Sequence, residues 1–162
     1  MKQLWAPWRM TYLRGLHKKV EGCLFCEKLK FSDEEEHVLY RGELCYVTLN
    51  RFPYSNGHLL IVPYQHTGRL EDLDDETALE MMQLVRHSMN LIRQAYNPDG
   101  FNVGVNEGSA AGAGVAEHIH LHIVPRWGGD ANYMTVVGET RVIPESLDDT
   151  YHLFRPLFDA LK

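Results

Sequence analysis

The amino-acid sequence predicts an α+β fold, with an antiparallel sheet of about five strands, one long helix packed on it and a C-terminal helix. Three observations support this prediction. Short β-like segments follow one another through brief turns, which favours antiparallel pairing. Residues 74–96 carry apolar side chains at helical spacing. Between residues 117 and 126, histidine and aliphatic side chains alternate with the period of a strand.

Size and composition restrict the class of protein. A chain of 162 residues suits one domain with a sizeable core. Its net charge of −6 argues against a long nucleic acid as partner but permits an anionic small molecule. No apolar run approaches the roughly 20 residues of a membrane span, and the N-terminus lacks a signal-peptide core. Two of the three cysteines form a Cys-x-x-Cys, unlike a secreted disulfide framework. We therefore expect a cytoplasmic protein.

Residues 1–20 mix aromatic and basic side chains without a clear period, which predicts an irregular arm. Two interpretations stay open for it. The arm is either a packed terminal segment, or it brings Trp5, Trp8 or Arg9 to a substrate.

Cys23 and Cys26 have the spacing with which two thiolates bind one tetrahedral zinc ion, although two ligands make only half a site. A thioredoxin-like redox pair is the main alternative. Because no βαβ pattern follows, the sequence favours the metal. Cys45 stands alone in an apolar run and is interpreted as a core thiol.

Residues 37–41 and 44–50 are β-like segments separated by Gly42, which predicts a hairpin. A turn and a third strand, residues 58–63, follow and end at a proline. Asn50 ends one strand and His58 begins the next, so we expect the two residues to converge at one edge of the sheet. On sequence alone, Asn50 is equally well a turn-capping residue.

The predicted helix at 74–96 begins at Asp74 or Asp75, whose carboxylates suit a helix N-terminus. Asparagine, proline and glycine end it at 97–100. His87 is expected at the surface. The apolar stripe predicted to face the core comprises Ala78, Met81, Met82, Val85, Met89, Ile92 and Tyr96.

A strand at 101–106 leads into a loop of small residues at 107–115. Side chains this small allow backbone N–H groups to approach a phosphate closely. The loop is not a P-loop, because no Gly-Lys-Ser/Thr follows. After the histidine strand we expect a turn, a short strand at 133–137, and a helix at 145–161 that Pro156 interrupts or kinks.

The histidine strand directs Ile119, Leu121 and Ile123 to the core and three histidines to the opposite face, with neighbours roughly 6.5–7 Å apart. A single buried histidine is usually structural. Three in register, preceded by a loop of small residues, indicate a site. The three histidines are His118, His120 and His122.

The pattern His-apolar-His-apolar-His-apolar-apolar resembles the histidine triad superfamily of nucleotide-binding hydrolases and transferases. Segments 23–26, 57–63 and 106–108, and the single residue Asn50, fit the same family in the same order. Residues 5–12 and 125–132 look most like bacterial diadenosine tetraphosphate phosphorylases. The resemblance implies a HIT-like fold and one domain, with an arm at 1–20, a core at 21–126 and a C-terminal extension at 127–162.

The resemblance also implies two kinds of site residue. In zinc-containing relatives, the ligands of a structural zinc correspond to Cys23, Cys26, His66 and His118. The nucleotide-binding positions correspond to Asn50, which holds the ribose, and to Asn106, Gly112, Gly114, His120 and His122. The chain departs from its relatives at Gly114, where they commonly have a glutamine or serine that bonds phosphate. Backbone donors, Ser109 or another segment then take over that task.

By the same resemblance, His120 attacks the α-phosphorus and forms a nucleotidyl-histidine. His122 contacts the bridging or phosphate oxygens, and His58 lies behind both as a third catalytic residue. The expected reaction is cleavage of a diadenosine tetraphosphate-like dinucleoside polyphosphate, by phosphorolysis to ADP and ATP. A hydrolase of the same substrates or of nucleoside phosphoramidates, a binding module with little turnover, and a metalloenzyme with all three histidines on a metal are the alternatives. The family implies a homodimer or higher homo-oligomer.

Overall fold

The computed structural model describes residues 22–131, 133–138 and 142–161, so the predicted arm at 1–20 lies outside the described residues. Five antiparallel strands form one sheet in the order β1-β2-β3-β5-β4. The strands are β1 (Val38–Arg41), β2 (Cys45–Leu49), β3 (Leu59–Pro63), β4 (Gly100–Val105) and β5 (Leu121–Arg126). The helices are α1 (Leu24–Lys28), α2 (Asp75–Tyr96), α3 (Tyr133–Val136) and α4 (Leu147–Asp159). The predicted α+β fold, with its long central helix and C-terminal helix, is confirmed.

Insertion of β5 between β3 and β4 positions the histidine strand. The chain leaves β3, crosses through α2 to the edge strand β4, and returns to fill the place between them. One row of paired residues therefore runs across the sheet from Thr48 through Leu60 and His122 to Gly104. The opposite face carries the main core, in which Val47, Leu59 and Ile123 pack with residues of α2 and α4.

Helix α2 begins as predicted, since the Asp74 side chain accepts a hydrogen bond from the Thr77 N–H at 2.7 Å. Asn97 ends it in the left-handed conformation, with φ 45°. The predicted stripe is wrong at Ala78, which is exposed, and at Met82, which is 51% exposed. The sheet instead covers the sector centred on Leu84 and Ser88, which lies on another side of the helix at 3.6 residues per turn. Among the described helices, none is long and apolar enough to cross a membrane.

In the C-terminal part, the strand predicted at 133–137 is wrong, and the interruption predicted at Pro156 is not found. Residues predicted as a strand at 133–137 form helix α3, because they lie against no strand of the described sheet and their backbone must bond locally. Pro156 does not interrupt α4, which continues to Asp159. The proline removes one backbone donor, whereas burial of Tyr151, Phe154 and Phe158 against the sheet favours the uninterrupted helix.

Candidate functional site

Two cysteines and two histidines meet beside α1, at one end of the histidine segment. Their ligand atoms all lie within 4.8 Å of one another. Cys23 Sγ is 3.2 Å from His118 Nδ1, and Cys26 Sγ is 3.5 Å from His66 Nδ1. The two histidine Nδ1 atoms are 3.3 Å apart. Two sulfurs and two nitrogens in this arrangement form a donor set suited to a tetrahedral metal site.

Hydrogen bonding directs His118 toward this cluster. Its Nε2 lies 2.9 Å from the Pro63 carbonyl oxygen, which only accepts, so Nε2 carries the proton. Nδ1 therefore presents its lone pair to the cysteines. Burial first, and then the adjacent Cys23, raise the pKa of the Cys26 thiol.

Helix α1 brings the cluster and the triad into one unit. The Phe25 ring lies 4.8 Å from the His120 ring and 5.5 Å from the His118 ring, measured between centroids. The Tyr46 hydroxyl donates to the Phe25 carbonyl at 2.9 Å and fixes the helix over β2. Phe25 belongs to a second apolar cluster, whose other buried members are Val38, Tyr46, Leu60 and Val62.

All three triad histidines are buried, so both faces of the histidine segment are covered. The regular strand begins only at Leu121, later than predicted, because Ile119 N–H bonds the Thr67 carbonyl at 2.6 Å instead of a strand neighbour. The rings of His120 and His122 are 4.9 Å apart. Burial is the main reason that the pKa of each triad histidine lies below its ordinary value, reaching about 4 for His122.

The ring of His120 is oriented by its own chain. Nδ1 lies 2.8 Å from the His118 carbonyl oxygen, so Nδ1 donates and carries the proton. The other nitrogen, Nε2, therefore keeps its lone pair. A neutral imidazole with its lone pair directed away from the backbone is a competent nucleophile near neutral pH.

His58 and His122 form a hydrogen-bonded relay with one possible direction when both rings are neutral. The Tyr54 N–H donates to His58 Nδ1 at 3.0 Å, so His58 carries its proton on Nε2. That Nε2 lies 2.9 Å from His122 Nδ1, which accepts. His122 must then be protonated on Nε2, a buried atom without a hydrogen-bond partner among the described residues. Burial and the neighbouring His122 lower the pKa of His58 to about 3, which keeps this ring neutral.

Asn50 and His58 converge as predicted. Asn50 N–H donates to the His58 carbonyl at 3.0 Å, and Asn50 Nδ2 lies 3.3 Å from His58 Nδ1. Asn50 Oδ1 accepts from the Phe52 N–H at 2.9 Å, which is the turn-capping role that the sequence left open. The ribose contact stays a prediction.

The loop before the triad uses several of its N–H groups internally. Gly108 and Gly112 have φ values of 77° and 87°, which glycine adopts readily. Gly112 N–H bonds Ser109 O, and Ala113 N–H bonds Gly108 O. Gly114 faces open space, since a Cβ placed there would meet nothing within 4 Å. Glutamine or serine is therefore not sterically excluded from this position.

A cavity of about 610 Å³ lies over the β4 side of the sheet and reaches His122. Asn106, predicted to bind nucleotide, lines it. The sequence reasoning assigned no role to three other lining residues, Tyr54, Asn102 and Arg126. Arg126 lies in the segment 125–132 that carries the family resemblance, and the period of two places it on the same strand face as His122. This signal could have identified Arg126 as a site residue. Tyr54 stacks on His122, with ring centroids 5.8 Å apart and planes 13° apart.

Comparison with known families matches residues 32–129 to the HIT domain. The chain belongs to the HIT family. It is 44% identical over 160 residues to a Mycobacterium tuberculosis protein named AP-4-A phosphorylase, covering 94% of this chain and 82% of that protein. It is 32% identical to the Schizosaccharomyces pombe adenosine 5′-monophosphoramidase hnt1, covering 64% of this chain and 74% of that protein.

Solved structures of the HIT family share the fold. A zinc-bound histidine triad family protein from Mycobacterium smegmatis superposes with a TM-score of 0.69 at 28% identity, covering 86% of this chain and 95% of that one. A histidine triad nucleotide-binding protein from Sulfolobus tokodaii superposes with a TM-score of 0.68, also at 28% identity, with coverage of 86% and 94%. The likeness extends over most of this chain.

Proposed function

We propose that this HIT protein cleaves dinucleoside polyphosphates such as diadenosine tetraphosphate at the α-phosphate, through a nucleotidyl-histidine intermediate. The observation that carries the proposal is the complementary protonation of two adjacent rings. His120 offers a lone pair at Nε2, and His122 offers an N–H at its own Nε2. One ring can attack phosphorus while the other donates to an oxygen on the same phosphate.

In the first step, His120 Nε2 forms a bond to the α-phosphorus, and the bond from that phosphorus to the bridging oxygen breaks. The remaining nucleoside polyphosphate departs with the electron pair of the broken bond. His122 Nε2–H donates to an oxygen at the reacting phosphate and offsets the negative charge that develops there. His58 acts on this step through His122, because it fixes which nitrogen of that ring carries the proton.

In the second step, we propose that inorganic phosphate attacks the nucleotidyl-histidine and releases ADP, the first product being ATP. The relative named AP-4-A phosphorylase, which matches almost the whole chain, supports phosphate over water. Hydrolysis of phosphoramidates is the second candidate, favoured by the likeness to an adenosine 5′-monophosphoramidase over 104 residues. Asn50, Asn106, Gly112 and Gly114 are proposed to hold the nucleotide.

We propose that Cys23, Cys26, His66 and His118 hold a structural zinc ion. The donor set and the orientation of His118 Nδ1 support this proposal, as does the zinc-bound relative. Four protein ligands leave no open coordination position, which is typical of structural rather than catalytic zinc. A bound metal would tie α1 to the loop after β3 and to the start of the triad.

The oligomeric state and the location are also proposed. Strand β4 is an edge of the sheet, and Val103 on it is 42% exposed, so a second copy has a strand with which to pair. We propose a homodimer or higher homo-oligomer on this basis. A reducing cytoplasm suits the zinc-binding thiols. The division into arm, core and extension at 1–20, 21–126 and 127–162 stays a prediction.

Incubation with diadenosine tetraphosphate, with and without inorganic phosphate, tests the function. Phosphorolysis predicts ADP and ATP in equal amounts and a rate that depends on added phosphate. Products of AMP and ATP at a phosphate-independent rate would replace phosphorolysis with hydrolysis. Absence of turnover in protein that binds nucleotide would favour the binding module.

The expected effect of His122→Ala is a loss of about 10²–10⁴-fold in kcat, because a hydrogen-bond donor is removed while the nucleophile remains. Its matched control is His87→Ala, which changes an exposed histidine of α2. Wild-type activity in the His122 variant would remove that residue from the mechanism.

A further inference from the structure

We propose that the cavity over β4 and β5 is the subsite for the leaving half of the substrate, and that Arg126 binds its phosphates. This inference rests on the proposed function and specifies where the departing nucleoside polyphosphate lies. The ligand class is an inorganic or nucleoside-linked polyphosphate chain.

The position of the cavity supports this role. Helix α1 packs through Phe25 on His118 and His120, which covers that side of the triad. The cavity begins at His122, the ring proposed to donate to the reacting phosphate, and extends over β4 to Arg126. The two residues are four positions apart on one strand face, roughly 13 Å along the strand. A polyphosphate whose α-phosphate lies at His120 and His122 can therefore extend toward Arg126.

The floor of the cavity is suited to a polar chain. Gly104 lies opposite His122 in the sheet, and a Cβ placed on it would meet nothing within 4 Å. The alternating residues on either side of it, Asn102 and Asn106, bring amide groups to the same face. Side-chain amides donate hydrogen bonds to anionic oxygens, and the glycine between them lets a ligand approach the backbone.

Arg126 is held in a fixed orientation. Its Nε and Nη2 donate to the two carboxylate oxygens of Asp130, at 2.5 and 2.9 Å. Its Nη1 donates to Asn102 Oδ1 at 2.6 Å. These bonds use three of the roughly five N–H groups of a guanidinium, which leaves others for a phosphate. Because Asn102 accepts through Oδ1, its Nδ2 is the amide group that remains to donate.

Charge points to the same residue. Among the described residues that line the cavity, Arg126 is the one with a fixed positive charge. Asp130 neutralises part of that charge at rest, so attraction alone does not explain binding. The preorganised N–H groups instead offer a charge-assisted contact to phosphate oxygens without the cost of ordering a free arginine.

The test compares two substrates that share the nucleotidyl part and differ in the leaving group. The leaving group of diadenosine tetraphosphate is a nucleoside triphosphate. The leaving group of adenosine 5′-phosphoramidate is ammonia, which is too small to reach Arg126. Arg126→Met should lower kcat/KM for the tetraphosphate by about 10–100-fold, the usual range for a charged hydrogen-bonded pair. Turnover of the phosphoramidate should be unchanged, and Arg126→Lys should restore part of the loss.

Adenosine 5′-tetraphosphate separates phosphates from nucleoside, because its leaving group is inorganic triphosphate. Arg126→Met should impair this substrate as much as the dinucleotide. If Arg126→Met impaired turnover of the dinucleotide alone, the cavity would hold the second nucleoside, and the proposal would be overturned. Equal losses on all three substrates would also overturn it, since they would show a structural effect on the triad.

Calorimetric binding of inorganic tripolyphosphate gives a readout independent of turnover. The Arg126→Met variant should bind this probe about 10–100-fold more weakly than wild type. Arg69→Met is the matched control, because Arg69 is exposed, pairs with Glu71 and lies outside the cavity. Arg126-dependent binding in protein that cleaves none of the substrates would refute the proposed function and support the subsite. Equal binding of tripolyphosphate by wild type and by Arg126→Met would refute the subsite.

Discussion

His118 and His122 lie at opposite ends of one short segment, are both buried, and yet are prepared for different chemistry. His118 donates from Nε2 to the Pro63 carbonyl and turns a bare Nδ1 toward two cysteines and His66. His122 accepts at Nδ1 from His58 and carries its proton on Nε2, a buried atom without a hydrogen-bond partner among the described residues. The difference lies in the hydrogen-bond partner of each ring, which is a carbonyl oxygen for His118 and a second histidine for His122.

This comparison shows that residue type and strand position do not decide what a histidine does. A carbonyl partner can only accept, so it forces the proton onto the contacted nitrogen. A second histidine can accept or donate, and here the Tyr54 N–H behind His58 decides that it donates. Each proposed role in the triad therefore depends on one neighbouring acceptor or donor. For His122 that donor is the His58 side chain, which mutation can remove.

Removal of the middle histidine should have the largest effect. His120→Gly should lower kcat by more than about 10⁴-fold, since a lost nucleophile costs more than the 10²–10⁴ of proton transfer alone. Nucleotide affinity should change little, because no binding contact outside the ring is altered. Single-turnover assays and calorimetry with ATP measure the two quantities. Trapping of a nucleotidyl-protein in the variant would show that another residue is the nucleophile.

Loss of a metal ligand should lower the stability of the protein more than it lowers the catalytic rate. Zinc in small zinc domains supplies about 10–16 kcal/mol of folding free energy, so one ligand in four corresponds to roughly 3 kcal/mol. Cys23→Ser should then lower the Tm by about 6–12 °C.

Cys45→Ala is the matched control for Cys23→Ser, because Cys45 is a buried thiol in the main core, outside the metal cluster. It should leave the metal content unchanged. Elemental analysis and thermal unfolding measure both variants. Wild-type protein purified without chelator and found free of zinc would return the cysteines to a redox or packing role.

Replacement of His58 should test whether it acts through His122. His58→Leu removes the donor to His122 Nδ1 and should lower kcat by about 10–10²-fold, the lower part of the range for proton-transfer groups. His58→Gln, whose amide can donate one N–H, should retain more activity. A merely structural role would give equal losses in both variants, together with equal losses of Tm.

The last prediction concerns the pH dependence of stability. The pKa of His58 is about 3 and that of His122 about 4, both below the ordinary value near 6.5. The unfolded chain therefore binds protons that the folded protein does not, as the pH falls below about 6.5. Stability is complete above that pH and is lost toward pH 3–4, by up to about 1.4 kcal/mol per pH unit for each histidine.

Urea unfolding at pH 7, 6 and 5 measures this slope. His58→Leu should reduce it, whereas His87→Ala, an exposed histidine on α2, should not. Both variants keep the metal cluster, so proton-coupled metal release affects them equally. An unchanged slope in His58→Leu would mean that the pKa of His58 is the same in the folded and the unfolded protein.

Much of the fold could be read from local pattern. The strands at 37–41, 44–50 and 58–63 and the helix at 74–96 were predicted to within a residue or two of their ends. Their periods of two and 3.6 are set by backbone geometry that every such segment shares. The strand predicted at 133–137 is wrong because a strand needs a neighbouring strand to pair with, and a local pattern does not show whether one is present.

The sequence by itself determined that three histidines share one face, that two cysteines are spaced for a metal, and that Asn50 and His58 converge. Tertiary structure decided what each ring can do. His58, which sets the protonation of His122, lies 64 positions from it along the chain. Cys23, which meets His118 in the metal cluster, lies 95 positions from that histidine. Arg126 likewise acquires its orientation from Asn102 on the edge strand β4. A hydrogen bond depends on atoms within about 3 Å in space, and only the folded chain brings such distant positions together.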